Sequence, residues 1–467
     1  MNKPTPSVST QPVAAMYPLR RHAVALAVSA AFALPQFAYA LPTGGTVVSG
    51  SSTITQPNAT TLAITQGTTR SAVNWLGFNT ASGESVIVTQ PGGGTALYRV
   101  ASPVEFYGRL SATGQIFLSS PTGVYFAPGA NIDVGGLVAT TLSMSQADFD
   151  AGRNIFTNTG ATGSVINNGS ISAPNGYVAL LGPQVTNNGL IAARMGSVAL
   201  AAGDKITLDM VGDGLIKVTV DQAALNAAAM NKGTIQADGG NVLLTARSAN
   251  ALLDTVINTD GVIRANSIGI RNGTITLDGG NAGIVSVAGT VEAKGNDAGT
   301  TGGTVKVLGE YVGVMSGASI NASGDAGGGT VLVGGNYQGQ GTEFRSTATY
   351  MDKDATISAD AVTSGNGGKV ILWSDGFTSA HGTIYARGGA RGGNGGLIET
   401  SGHHILDATG VRGGAYAPNG KAGSWLFDPD SNVNIIIRNS SRTVIVISLF
   451  RYFVFYMMRH NEQRTQQ

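Results

Sequence analysis

The chain has 467 residues, of which 68 are glycine and none is cysteine, and only 12% are charged. Glycine is therefore about twice as frequent, and charge about half as frequent, as in an ordinary globular protein. These values exclude a disulfide-linked scaffold and a cysteine metal site, and the formal net charge of +1 gives no reason to expect nucleic acid as a partner.

The first 40 residues have the three parts of a secretory signal peptide. A pair of arginines precedes the apolar run 23–34, and the small-residue sequence Ala38-Tyr39-Ala40 follows it. This order of segments predicts cleavage after Ala40, so that the mature chain begins at Leu41. An N-terminal membrane anchor is the alternative, but the apolar run is too short to span a bilayer.

Short alternating strands cut by glycine and proline turns are predicted from residue 71 to 141. Within them, Trp75 and Phe78 stand three positions apart at a turn. These rings could be ordinary core residues, or they could close the open end of a coil, which would otherwise expose unpaired backbone. We favour the cap, because the terminal repeats of solenoids are atypical.

Internal repeats fill the middle of the chain. Segment 165–173 recurs at 185–193, and glycine pairs open similar strands at 239–244, 302–307, 328–333 and 367–372. A unit of Ile or Val, one variable residue and Ala also recurs, as Ile235-Gln236-Ala237, Ile263-Arg264-Ala265, Val291-Glu292-Ala293, Ile320-Asn321-Ala322, Ile357-Ser358-Ala359 and Ile384-Tyr385-Ala386. Regularly spaced short strands without helices between them predict an all-β parallel β-helix, with glycines at positive-φ corners. Glycine-rich disorder is disfavoured by the many Val and Ile positions.

One helix is predicted, from Asp221 to Asn231, because this segment is rich in Ala, Leu and Gln. It would form an excursion from the rod.

No motif predicts catalysis, a cofactor or a metal. On a strand the adjacent His403 and His404 would point to opposite faces, which is poor geometry for sharing a metal. Segment 414–422 resembles a phosphate loop, but its spacing is one residue too long and Ala422 stands where a hydroxyl would bind magnesium. Segments 321–325 and 392–396 lack the tandem register of calcium-binding nonapeptides. We therefore predict that the chain is not an enzyme.

The stretch from Ala72 to Ala139 resembles the N-terminal secretion domain of the filamentous haemagglutinin family, the exported partner in two-partner secretion. The matching segments are 72–79, 83–91, 98–100, 108–118, 121–124, 128–130 and 134–139. The resemblance implies a right-handed β-helix with a capped N-terminal end. It also implies transport by the general secretory machinery, and then passage through an outer-membrane barrel transporter that recognises the N-terminal domain.

The resemblance also implies a set of residues for transporter recognition or for the cap. These residues are Asn74, Trp75, Phe78, Asn79, Gln90, Pro91, Pro121 and Gly123. One departure affects this set, because the family's Asn-Pro-Asn-Gly turn is Ser120-Pro121-Thr122-Gly123 here. These residues still suit a type I turn, although the asparagine side chains are missing.

The sequence predicts four parts: a signal peptide (1–40), a secretion domain with its cap (41–160), β-helix repeats (161–430) and an atypical tail (431–467). The tail contains no glycine, and we interpret it as the product of a truncated or frame-shifted gene.

The sequence is compatible with three functions. The favoured one is an adhesin, secreted or held at the cell surface, with an unknown ligand on a host or neighbouring cell. The alternative is the N-terminal part of a secreted haemolysin or contact-dependent inhibition toxin whose active C-terminus is missing. A β-helical polysaccharide-cleaving enzyme is disfavoured by the low charge.

Overall fold

The computed structural model describes residues 40–210, 216–249 and 254–428, together with three strands beyond them, at 433–438, 444–449 and 453–456. The predicted signal peptide lies outside the described residues except for Ala40. Most of the tail 431–467 lies outside them as well. Predictions about these two segments therefore stay predictions.

The elements fall into three groups along the chain. The capped end and first coils contain β1 (Thr46–Ser49), β2 (Ser52–Asn58), β3 (Thr61–Gln66), β4 (Arg70–Trp75), β5 (Ser85–Thr89), β6 (Thr95–Val100), β7 (Val104–Phe106), β8 (Arg109–Ser119), β9 (Val124–Phe126) and β10 (Asn131–Thr140). The middle contains α1 (Gln146–Asp150), β11 (Asn154–Thr157), β12 (Val165–Asn167), β13 (Ser170–Ser172), β14 (Tyr177–Gly182), β15 (Gln184–Asn187), β16 (Leu190–Ala192), β17 (Ser197–Ala202), β18 (Lys205–Met210), β19 (Ile216–Gln222), β20 (Ala228–Asn231), β21 (Thr234–Gln236) and β22 (Asn241–Ala246). The last group contains β23 (Thr255–Thr259), β24 (Val262–Arg264), β25 (Thr274–Asp278), β26 (Ile284–Val287), β27 (Thr290–Glu292), β28 (Thr304–Leu308), β29 (Tyr311–Val314), β30 (Ser319–Asn321), β31 (Thr330–Val333), a 3-10 turn (Tyr337–Gly339), β32 (Ala348–Met351), β33 (Thr356–Ser358), β34 (Lys369–Ser374), β35 (Phe377–Ala380), β36 (Thr383–Tyr385), β37 (Leu397–Gly402), β38 (Ile405–Asp407), β39 (Arg412–Gly414), β40 (Ser424–Phe427), β41 (Val433–Arg438), β42 (Val444–Leu449) and β43 (Phe453–Tyr456).

The strands stack as a parallel β-helix in which each regular coil contributes three strands. For example, β13, β14 and β15 lie in register beneath β16, β17 and β20. Two of the three columns merge into one 27-stranded sheet of the described chain, and the third forms an 11-stranded sheet. The columns merge because β8 and β10 run without a break across the corner between them. The predicted right-handed parallel β-helix is confirmed.

The recurring Ile/Val-x-Ala unit forms one inward column of the coil. Its branched residues pair in register from Ile235 through Ile384. These side chains and the alanines that follow them are fully buried. Alternation along a strand sends every second side chain inward, and the narrow interior accepts only small or branched residues at these positions. This part of the prediction is confirmed.

The predicted positive φ occurs in one of the four glycine pairs, at Gly239, and the other three pairs have a different role. In Gly367-Gly368, neither residue has a positive φ. Instead the coils approach so closely at this corner that a Cβ on Gly368 would lie 2.0 Å from the carbonyl oxygen of Gly329. The repeated glycines are therefore required by close stacking of backbone on backbone.

The N-terminal end is closed by two strands that reverse the direction of the stack. Strand β1 pairs antiparallel with β4, and β2 pairs antiparallel with β3, whereas β3 and β4 pair parallel with the next coil. The backbone groups that the first coil would otherwise expose are therefore paired, and the predicted capped end is confirmed. The cap consists of these strands, while Trp75 and Phe78 lie buried beneath it.

A second layer covers the outside of the first coils. Helix α1 and the antiparallel sheet β11-β18-β19 pack over outward-facing residues of the stack, which form a separate hydrophobic cluster around Phe117, Phe149 and Phe156. The predicted helix at 221–231 is wrong, because β19 ends at Gln222 and β20 begins at Ala228. Three of its alanines, Ala224, Ala227 and Ala229, are buried inside the coil instead of on a helix face, so interior packing outweighs helix propensity.

Candidate recognition site at the capped end

Beneath the cap, a stack of aromatic rings fills the first coils. The Trp75 ring lies 5.3 Å from Phe78 and 5.9 Å from Tyr98, edge to face in both cases. The stack continues from Phe78 to Phe106 and from Phe106 to Phe126, with 6.3 Å between ring centroids at each step. Such pairs stabilise by about 0.5–1.5 kcal/mol each beyond burial of their area. Burial also raises the pKa of the Tyr98 hydroxyl.

The two asparagines of the predicted set differ in exposure. Asn74 is exposed on β4, in register with Thr46 of the cap and Arg99 of the next coil. Asn79 is half-buried, and its Oδ1 accepts a hydrogen bond from the Glu105 N–H at 2.8 Å. Asn74 is thus available on the folded surface, whereas Asn79 fixes the backbone of β7.

Gln90 lies at the centre of a buried amide network. Its Nε2 donates to the Gln66 Oε1 at 3.2 Å, to the Gly94 carbonyl at 3.2 Å and to the Gln115 carbonyl at 3.1 Å. Its Oε1 accepts from the Gly114 N–H at 3.0 Å. The neighbouring Pro91 closes the turn, because its carbonyl accepts from the Gly94 N–H at 2.8 Å. The folded domain therefore uses the Gln90 side chain to hold one corner of three successive coils.

The turn Ser120-Pro121-Thr122-Gly123 is present. The Gly123 N–H donates to the Ser120 carbonyl at 3.0 Å, and Gly123 has a φ of +130°. The buried Ser120 hydroxyl donates to the Ser102 carbonyl at 2.8 Å, so a serine ties this turn to the preceding coil. The Pro121 carbonyl accepts from the Thr162 N–H at 2.9 Å, which links the turn to the next coil.

The predicted cleavage site lies at the entry to the cap. Leu41 is buried, and the Thr43 N–H donates to the Gly77 carbonyl at 2.9 Å. The Ala40 N–H donates to both carboxylate oxygens of Glu84, at 3.0 and 3.2 Å. The chain is therefore anchored on the first coil from Ala40 onward.

Sequence reasoning missed the polar and charged contacts that join the cap and the first coils to the outer layer. The Arg70 guanidinium lies 4.2 Å from the centre of the Phe149 ring of α1. Arg99 donates to the Met144 carbonyl and to the Gln146 side chain, and the Ser49 hydroxyl donates to Asp150 at 2.8 Å. The only available signal was the alternation of apolar residues along 205–210 and 216–222, which predicts a hairpin.

Two buried carboxyls lie outside the capped end, Asp360, which pairs with Arg387, and Glu399. Glu399 of β37 is fully buried beneath the excursion that contains Gln338, whose N–H donates to its two oxygens at 3.2 and 3.0 Å. Burial raises the pKa of Glu399 to about 7. In the same excursion, Gly339 packs closely against the Trp373 ring.

The described residues offer no metal centre, since no three His, Asp or Glu side chains come close enough to hold an ion. His403 and His404 lie in the bend between β37 and β38, with their rings 5.0 Å apart. None of the described helices has the length and apolarity needed to cross a membrane.

Comparison with known proteins finds one matching family and two similar proteins. The family described as the TPS secretion domain matches residues 38–293. The chain is 29% identical over 260 residues to a heme/hemopexin-binding protein of Haemophilus influenzae, a match that covers 50% of this chain and 28% of the relative. A heme/hemopexin-binding protein from a second strain of that species, Rd, is 27% identical over 248 residues, covering 51% of this chain and 27% of the relative. The match thus spans little more than a quarter of the relatives' length.

A solved structure is similar as well. The crystal structure of the HMW1 secretion domain from Haemophilus influenzae superposes with a TM-score of 0.72 at 29% identity. The superposition covers 83% of this chain and all of that domain. The likeness therefore extends beyond the capped end into the repetitive coils.

Proposed function

We propose that this chain is the exported partner of a two-partner secretion system. The premise is that the chain belongs to the TPS secretion domain family. The observation that carries the proposal is the family match over residues 38–293, which covers the cap, the aromatic stack and the outer layer. In this proposal the general secretory machinery carries the chain across the inner membrane. An outer-membrane barrel transporter then recognises its N-terminal region and passes it to the cell surface.

The burial of the predicted recognition residues bears on when recognition occurs. Gln90, Trp75 and Phe78 are buried in the folded domain, so the transporter can read these side chains only before the first coils form. Parallel pairing between residues distant in sequence forms slowly, which leaves time for an extended chain to be threaded. The other members of the predicted set differ, because Asn74 is exposed after folding and Asn79, Pro91, Pro121 and Gly123 are only partly buried.

We further propose that the rod serves as a binding structure at the cell surface or in the medium, with adhesion as its primary role. Its outer faces carry stacked hydroxyl groups, as in the column Thr290, Ser319, Thr356 and Thr383. Such faces offer an extended surface for a macromolecular ligand.

A second candidate is binding of a haem-carrying protein. It is favoured by the two matched relatives, which are heme/hemopexin-binding proteins. It is a proposal because the match spans 28% of the first of these relatives. Immobilised hemopexin and a matched serum protein without haem would separate this candidate from adhesion to whole cells.

The proposed route is tested by expressing the full chain with its leader, with and without a two-partner transporter encoded beside it. We expect the protein in the medium or on the surface only when the transporter is present. Export without the transporter, or retention in the periplasm with it, would contradict the proposal. A periplasmic protein of similar size should stay inside the cell in both strains and serves as the leakage control.

A further inference from the structure

Glu84 is a buried carboxylate at the first turn of the coil. Its residue is 3% exposed. Besides the two bonds from the Ala40 N–H, one carboxylate oxygen accepts from the Ala81 N–H at 2.7 Å. The Glu84 N–H also donates to the Ala81 carbonyl at 3.2 Å, so the side chain and the backbone of the turn are held together.

No cation of the described chain pairs with this carboxylate. Among the ion pairs formed by the described residues, none includes Glu84. The charged residues on the strands packed against the turn are Glu105 and Arg109, and both side chains are exposed. A buried charge without a counter-ion is strongly unfavourable, and neutral N–H groups compensate it only in part.

The chain segment that meets Glu84 contains the predicted cleavage site. Cleavage after Ala40 turns the Leu41 nitrogen into an ammonium group, one residue from the nitrogen that now contacts the carboxylate. One residue spans at most about 3.6 Å, and Leu41 and Thr43 are anchored on the first coil. The new cation is therefore confined within reach of Glu84.

We propose that Glu84 is the binding site for the α-ammonium group that processing creates at Leu41. This inference rests on the proposed export route, since that route removes the leader. Before cleavage, the carboxylate accepts from the neutral N–H groups of Ala40 and Ala81. Cleavage removes the Ala40 donor and supplies the Leu41 ammonium group in its place, whose charge-assisted hydrogen bond is the stronger kind. Removal of the leader thereby stabilises the cap against local opening.

The test compares four purified chains: the mature chain 41–467 with a free or an acetylated α-amine, each with Glu84 or with Glu84→Gln. Amide hydrogen exchange in β1 reports opening of the cap, and exchange in β31 is the internal control. With Glu84 present, we expect acetylation to speed exchange in β1 about tenfold, equivalent to a difference of one pKa unit. In Glu84→Gln, we expect acetylation to change it less than twofold. Equal effects in both backgrounds, or no effect in either, would overturn the proposal.

A second measurement needs no variant, so it tests the proposal even if Glu84→Gln fails to fold. The pH profile of α-amine labelling should give a pKa about one unit above the ordinary value of about 7.7–8.0. Because pairing raises the pKa of a cation, the added protection of the cap is complete below the ordinary value and is lost as the pH rises through the raised one. An ordinary pKa would overturn the inference.

N-terminal sequencing of the exported chain separates this inference from the proposed function. A start at Leu41 is required here, and any other start overturns it. Export without the transporter would overturn the proposed function alone.

Discussion

The capped end and the C-terminal coils share one architecture but are stabilised differently. In the first coils, large rings fill the interior, and a second hydrophobic cluster covers the outer face. In the coils after residue 234, the same inward positions hold Ile, Val and Ala, and glycines allow the corners to touch. The first region therefore depends on particular side chains, whereas the second depends on a repeated backbone contact.

The largest expected effect is from the aromatic stack. Phe106→Ala would leave a cavity between Phe78 and Phe126, and we expect it to lower the free energy of unfolding of the capped end by about 3–5 kcal/mol. Ile320→Val, a smaller deletion in a regular coil, should lower stability by about 0.5–1.5 kcal/mol. Hydrogen exchange resolved by region measures both changes. Equal loss of protection in both regions after Phe106→Ala would contradict the contrast.

The second-largest expected effect is a pH dependence of stability that is confined to the C-terminal coils. Folding raises the pKa of Glu399 to about 7, so the folded chain binds more protons than the unfolded chain from about pH 4.5 to 7. Stability around β37 should therefore fall over this range, by about 3 kcal/mol, and stay level above it.

The control for this pH effect is Glu399→Gln, which should remove the dependence around β37. Protection of β4 and β6 should show no change attributable to this residue. A pH dependence around β37 that persists in the variant would refute this assignment.

A smaller effect is expected at the glycine corners. In Gly368→Ala the new methyl group would meet the Gly329 carbonyl at 2.0 Å, and we expect a loss of about 1–3 kcal/mol from overpacking. Gly92→Ala is the matched control, since nothing lies within 4 Å of its Cβ position. Urea unfolding followed by tryptophan fluorescence, to which Trp75, Trp373 and Trp425 all contribute, measures the change. Equal urea midpoints for the two variants would show that the backbone of adjacent coils can move apart at this corner and accommodate the methyl group.

The contrast also explains what the sequence could predict. The regular coils were predictable because each repeat obeys the same rule: Ile320 and Ile357 occupy one column and pair in register. The outer layer was not predictable, because the contact of Arg70 with Phe149 joins segments far apart in sequence, and no periodic pattern in the sequence indicates it. Likewise the helix predicted at 221–231 failed, because Ala224 and Ala227 are required by the narrow interior and not by a helix.

The predicted recognition residues show the same difference between features set by local sequence and features set by distant contacts. The turn at Ser120-Pro121-Thr122-Gly123 follows from local chemistry and was predicted. The network around Gln90 depends on residues from three coils, so the sequence could single out this residue but not its contacts.

The smallest effect on stability is expected at Asn74, which is exposed on β4. Asn74→Ala should change the free energy of unfolding by less than about 0.5 kcal/mol, yet reduce transporter-dependent export severalfold if the transporter contacts this side chain. Asn272→Ala, at an exposed position in a later coil, is the control and should be exported normally. Equal export of the two variants would remove Asn74 from the recognition set.

The central claim is that the capped end directs export while the later coils are cargo. The most direct test fuses a reporter to residues 1–293, and separately to a chain that keeps the leader but lacks residues 41–160, in cells with and without the transporter. We predict release of the first fusion only with the transporter, and retention of the second in both strains. Transporter-dependent release of the second fusion, or retention of the first, would contradict the claim.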